Sequence, residues 1–127
     1  MCLLDRVVEW NEDTIRLATS THRSPDNPLR RDGRLRSIHL CEYGAQAMAV
    51  HGALKSEAHG AQAQPGMLVS LRAVSFTRDF VEDLPGELLV GAQCLQASES
   101  SLQYSFRITH EAELLAEGRA AVVLNPE

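Results

Sequence analysis

Ser37-Ile38-His39-Leu40-Cys41-Glu42-Tyr43-Gly44-Ala45-Gln46-Ala47-Met48-Ala49-Val50-His51-Gly52-Ala53-Leu54 decides the fold of this chain, because it reads as a helix with almost no solvent face that nevertheless carries an acid. Nearly all its other positions are apolar or small, so the helix is expected to be enclosed by the rest of the structure. His39, Glu42 and Gln46 follow one another at helical spacing and share one stripe. Burying an unbonded polar group costs about 2–7 kcal/mol, and a charge costs more. Glu42 therefore needs a reason to be there: either a structural partner such as Arg34 or Arg36, or a task in proton transfer. Ser37 is the expected N-cap, and Gly52 and Gly60 bracket the fading end of the helix.

On the N-terminal side, Leu3 to Trp10 and the alternating Thr14 to Thr19 flank the turn signal Asn11-Glu12-Asp13, which predicts a hairpin. His22 to Arg36 holds Pro25, Pro28 and Gly33 without periodicity and reads as a loop long enough to be functional. On the C-terminal side the pattern is of consecutive antiparallel strands. Met67 to Phe80 is rich in Val, Leu and Phe, and the turn Pro85-Gly86 precedes a strand from Glu87 to Gln96. Leu102, Tyr104, Phe106 and Ile108 alternate with polar residues, and His110-Glu111-Ala112-Glu113 reverses the chain into Leu114 to Leu124. One long apolar helix beside five or six strands is an α+β arrangement, with a curved antiparallel β-sheet wrapped around the helix. Such a sheet leaves edges that a second copy commonly covers, so a homodimer, or a larger assembly of dimers, is expected.

With 127 residues, the chain is expected to form one domain over 1–127. It is 44% hydrophobic, yet no apolar run approaches the roughly 20 residues of a membrane span. The N-terminus shows no basic segment leading into a long apolar stretch, so the expected location is the cytoplasm. Cys2, Cys41 and Cys94 are odd in number and widely spaced, which argues against a disulfide framework and a metal site. A net charge of −5 disfavours nucleic acid as a partner. Arg23, Arg30, Arg31, Arg34 and Arg36 are nevertheless concentrated in one segment, a local charge suited to an anionic ligand or an acidic partner. No phosphate loop or nucleotide fingerprint is present, and no cofactor is expected.

The order of the elements, together with Leu3-Leu4-Asp5-Arg6-Val7 and Glu42-Tyr43-Gly44-Ala45-Gln46, resembles the hot-dog fold 3-hydroxyacyl-(acyl carrier protein) dehydratases, above all the short proteins of polyketide and aryl-polyene pathways. The resemblance extends over essentially the whole chain, with Asp5-Arg6-Val7 matching the family's opening segment and Glu42, Ala45 and Gln46 its helix acid segment. It implies elimination of water from a 3-hydroxyacyl thioester to give the trans-2-enoyl thioester. The family's Gly-His-Phe-Pro tetrapeptide has no counterpart here. His22 occupies the corresponding loop farther upstream, and an alternative alignment puts Arg34 at the histidine's place. On this basis His22 is expected to act as base, with His39 as its rival, and Glu42 as acid. Backbone amides near Ser37 to His39 would hold the enolate oxygen. Gln46 would orient the hydroxyl or tie the helix to the sheet. His22 and Glu42 would meet across the dimer interface. Arg30 and Arg31 would attract an acidic acyl carrier protein and its phosphopantetheine arm, or else acyl-CoA, while Ala45, Ala49 and Gly52 leave room for the acyl chain. The competing readings are an acyl thioesterase, in which the helix acid activates water, and a non-catalytic subunit that binds acyl chains or supports a partner. His51, His59 and His110 are expected at the surface or in packing.

Overall fold

The structure, a computed structural model, describes residues 2–61 and 66–124. The first hairpin forms as expected: strands β1 (Arg6–Trp10) and β2 (Thr14–Thr19) are joined by a turn in which Asn11 Oδ1 accepts from the N–H groups of Asp13 and Thr14. Helix α1 (Leu40–Ala58) follows the long loop, and β3 (Gly66–Phe76), β4 (Leu88–Ala97), β5 (Ser101–His110) and β6 (Glu113–Leu124) complete the chain. All six strands make one antiparallel sheet in the order β1-β2-β4-β5-β6-β3. Glu111 and Ala112 both take positive φ in the two-residue turn between β5 and β6, the geometry that matches strand twist in a tight hairpin. The strand read over Met67 to Phe80 ends at Phe76, and residues 77–87 form a loop instead.

That loop is held beside the start of α1 by several bonds to the arginine segment and its neighbours. Val81 N–H donates to Leu35 C=O (3.0 Å), Leu35 N–H donates to Glu82 Oε1 (2.8 Å), and Ser37 N–H donates to Asp79 C=O (2.8 Å). The helix begins two residues later than expected. His39 is its N-cap, no side chain caps it, and Ser37 lies in a preceding 3-10 turn, Ser37–His39. At the far end Gly60 has φ +69°, with Ala61 N–H bonded to Ser56 C=O and Gly60 N–H to Glu57 C=O. These two bonds form a Schellman stop, which needs the left-handed conformation that glycine adopts without strain.

The largest correction concerns how α1 is enclosed. It buries Leu40, Tyr43, Gly44, Ala47, Met48 and His51, whereas Glu42, Ala49 and Ala53 are exposed. A single six-stranded layer covers one side of a helix, so the small apolar residues on the other side stay uncovered within this chain. Glu42 consequently stands in solvent and not in the core. On the covered side the approach is close: a Cβ placed on Gly44 would lie 2.8 Å from Phe106 Cδ1, and one on Gly118 would lie 2.9 Å from Phe106 Cζ. The Phe106 ring is thus clasped between helix and strand by two residues without side chains.

Candidate active site

Ser37 and His39 lie in the 3-10 turn that leads into α1, Glu42 on the first turn of the helix and Gln46 one turn further on. Tyr43, fully buried next to Glu42, receives a bond from Asn27 Nδ2 (3.0 Å) and shares one with Thr21 Oγ1 (2.9 Å). Thr21 Oγ1 in turn donates to Leu3 C=O (2.7 Å), and Asn27 Nδ2 also reaches Thr21 C=O (2.9 Å). This network fastens the loop carrying His22 to the helix that carries Glu42. Gln46 Oε1 accepts from Leu3 N–H (2.8 Å), which ties the helix to the N-terminal segment.

His22 is fully buried, and its Nε2 lies 2.8 Å from Leu84 C=O. A carbonyl only accepts, so Nε2 carries the proton and Nδ1 carries the lone pair. Nδ1 is buried and has no hydrogen-bond partner. Burial holds the imidazole below its usual value of 6.5; the bond to Leu84 opposes this, and the charges of Arg23, His110 and Arg30 add to it. The ring is therefore neutral near pH 7, fixed in orientation, with a free basic nitrogen. No hydrogen bond joins it to Glu42, whose carboxylate has no hydrogen bond or ion pair among the described residues. His39 is half-buried at the helix start. Its own N–H donates to Arg36 C=O (3.1 Å), and the Ser37 N–H is taken by Asp79, so two of the three amides expected to face an oxyanion are already engaged. The Ser37 hydroxyl is buried without a partner.

The arginines divide into two groups. Arg30 folds back, donating from Nη1 to Gly33 C=O (2.9 Å) and from Nη2 to His22 C=O (3.3 Å). Arg31 and Arg34 face each other across a tight turn in which Asp32 and Gly33 both have positive φ. Arg34 does not pair with Glu42: its Nε donates to Glu82 Oε2 (2.6 Å), and its guanidinium lies 3.8 Å from the Phe80 ring centre. Burial pushes the Glu82 carboxyl up, but the Leu35 N–H and Arg34 outweigh it and leave the group below its ordinary value. Arg36 approaches the same ring at 5.3 Å, while Arg31 remains exposed. Glu82 carries no signal in the sequence, and Phe80 reads there only as the end of the strand from Met67.

From Glu42 a stripe of small residues, Ala45, Ala49, Gly52 and Ser56, leads along α1 into a cavity of about 620 Å³ between the helix and strands β3, β5 and β6. His51 and His110 are packing residues: His51 is bonded to Tyr104 and Asn11, and His110 Nε2 donates to Pro85 C=O (2.7 Å). His59 is exposed. Among the described residues no group of His, Cys, Asp and Glu is placed to hold a metal, and no helix is long and apolar enough to cross a membrane.

The neutral burial of His22 and His51 has a pH consequence. Burial lowers both rings from 6.5, with the Asn11 carbonyl partly opposing it at His51. A depressed imidazole stabilises the fold fully above its unfolded value, and that stability is lost as pH falls from about 6.5 toward the folded values. The thermal midpoint followed by circular dichroism is expected to be flat between pH 8 and 7 and to drop by several degrees by pH 5. His51→Gln, which cannot charge, removes part of the slope; a midpoint that does not change with pH contradicts the assignment.

The profile of the ApeP-like family, described as ApeP dehydratase, matches residues 1–127. Among solved structures, the dehydratase heterocomplex ApeI:P from Xenorhabdus doucetiae is 21% identical with a TM-score of 0.88, covering 99% of this chain and 84% of that one. A hypothetical thioesterase with coenzyme A from Streptococcus pneumoniae is 10% identical with a TM-score of 0.68, covering 94% of this chain and 84% of that one. Zebra fish thioesterase superfamily member 2 is 15% identical with a TM-score of 0.68, covering 94% and 80%. No curated protein matches the chain. The structural likenesses establish the hot-dog fold, a six-stranded antiparallel sheet with one long helix packed on it.

Proposed function

The chain belongs to the ApeP-like dehydratase family, and on that premise we propose that it removes water from a 3-hydroxyacyl thioester. A base takes the C2 proton, and the C–H electron pair becomes the C2=C3 bond. The C3–O bond breaks as an acid protonates the departing hydroxyl, leaving the trans-2-enoyl thioester and water. Glu42 is the acid. The observation that carries this reading is its position: a carboxyl on the first turn of α1, without a hydrogen bond or ion pair among the described residues, three residues before Ala45, where the lining of an apolar cavity begins. His22 is the base, because its backbone tether leaves a lone pair on Nδ1 and burial keeps it neutral.

Proton donation by an acid works best where water is excluded, and this chain leaves Glu42 uncovered. We assign the cover to a second hot-dog subunit, either a copy or a relative. The free edge β3 supports this, since Met67, Val69 and Leu71 are 68%, 52% and 40% exposed, an apolar display that soluble chains usually bury in an interface. The heterocomplex from Xenorhabdus doucetiae is, by its name, such a pairing of dehydratase chains. Arg31 and Arg36 carry the exposed positive charge beside the helix start and suit the phosphate of a phosphopantetheine arm, on an acyl carrier protein or coenzyme A. Thioester hydrolysis is the second reading, favoured by the access of water to Glu42.

Mass spectrometry of a 3-hydroxyacyl carrier-protein thioester tests these readings, using the chain alone and mixed with a second hot-dog subunit. Loss of one water is expected with wild type, abolished in His22→Ala and retained in His39→Ala, with folding of each variant checked by circular dichroism. Release of free acid replaces the dehydratase reading with hydrolysis, and an unaltered substrate under every condition replaces it with a non-catalytic role.

A further inference from the structure

The cavity is apolar along most of its length but not at its far end. Helix α1 runs antiparallel to β5, with Gly44 against Phe106 and His51 against Tyr104, so the residues past His51 lie level with Leu102. There the lining changes from Ala45, Met48, Ala49 and Gly52 to Lys55 and Ser56. Lys55 is half-buried and has no hydrogen bond or ion pair among the described residues. A lysine that lines an apolar cavity is a charge-assisted donor for a ligand oxygen that reaches it. Partway along, the Tyr104 hydroxyl has a fixed direction. His51 Nε2 donates to Asn11 C=O (2.8 Å), so its Nδ1 must accept the Tyr104 proton (2.6 Å), which leaves the phenol no proton to give a ligand. Among the described residues that line the cavity, the one lysine or arginine is Lys55, at its end.

We propose that the cavity selects acyl chains that end in a hydrogen-bond-accepting oxygen, with Lys55 as the residue that reads it. This rests on the dehydratase reading for the position of the thioester: with its reacting carbons at Glu42, Lys55 stands thirteen residues on, roughly 20 Å along the helix axis. A long extended acyl chain spans that distance. A chain ending in methyl would leave the ammonium unpaired, whereas one ending in carboxylate or hydroxyl would satisfy it; the carboxylate forms the stronger, charge-assisted bond. Ser56 supplies a second donor beside it.

The test uses long-chain acyl-pantetheine amides of equal length that end in methyl, hydroxyl or carboxylate, measured by calorimetric binding, beside turnover of the matching 3-hydroxyacyl thioesters. Wild type is expected to bind the carboxylate form about tenfold more tightly than the methyl form, with hydroxyl between them. Lys55→Met, which keeps length and removes charge, is expected to reverse the order, whereas Lys55→Arg keeps it. Equal binding of all three amides by wild type, or an unchanged preference in Lys55→Met, overturns the proposal. Preference without turnover leaves Lys55's role standing and removes the catalytic reading. Turnover without preference does the opposite.

Discussion

Glu42→Gln is expected to lower kcat/KM for dehydration by roughly 10²–10⁴-fold, the usual contribution of a positioned general acid, while leaving the thermal midpoint unchanged. The two halves of that expectation have separate origins. Glutamine keeps the size and the hydrogen-bonding oxygen but has no acidic proton to give the departing hydroxyl. Stability stays put because the carboxyl is exposed and has no hydrogen bond or ion pair among the described residues. Steady-state kinetics with the enoyl product followed by absorbance, beside a melting curve, checks both. A Glu42→Gln protein with full activity would remove the acid assignment. One that loses its fold would show instead that the carboxyl has a structural partner in the assembly.

Phe106→Ala is expected to have the largest effect on stability, about 3–5 kcal/mol, a substantial part of the 5–15 kcal/mol typical of a small domain. The ring is 1% exposed and fills the space that Gly44 and Gly118 leave open. Removing it empties a site bounded by backbone on two sides, where neighbours have little freedom to collapse inward. The reciprocal change, Gly44→Ala, forces a methyl to 2.8 Å from the ring and is expected to cost about 1–3 kcal/mol by overpacking. Urea denaturation of both variants provides the check. If Gly44→Ala restores part of what Phe106→Ala loses, the two positions share one packing site; strict additivity would contradict the clasp.

Much of this architecture was legible in the chain. The alternation of Leu102, Tyr104, Phe106 and Ile108, the turn at Glu111-Ala112 and the apolar run around Glu42 each carry a local signal, and each became the element it predicted. What was not legible is what lies on the far side of each residue. Ala45, Ala49 and Ala53 look the same in sequence as Ala47, but only the last is fully buried. The position of Glu42 in solvent follows from that ambiguity. At the site, the sequence singled out His22 without showing that both ring nitrogens would be buried, because Leu84 lies 62 residues away. Arg34 is one of two arginines that the sequence offers as a partner for Glu42, whereas the acid it pairs with, Glu82, comes from a loop with no pattern of its own.

The two free edges of the sheet are unlike. β3 is an eleven-residue strand with apolar side chains outward, broken near its end where Ala73 takes a φ of +54° and the register with β6 shifts. β1 is five residues long, shifts register between Val7 and Glu9, and carries Arg6 and Glu9. A strand docking on β3 finds more than twice the length, whereas one docking on β1 finds a short, bulged ladder in which Val7, Val8 and Trp10 are exposed beside the charges. Growth is thereby self-limiting. A chain that can be extended at one margin only closes after a single addition, so the exposed edge that invites a partner does not seed a fibre.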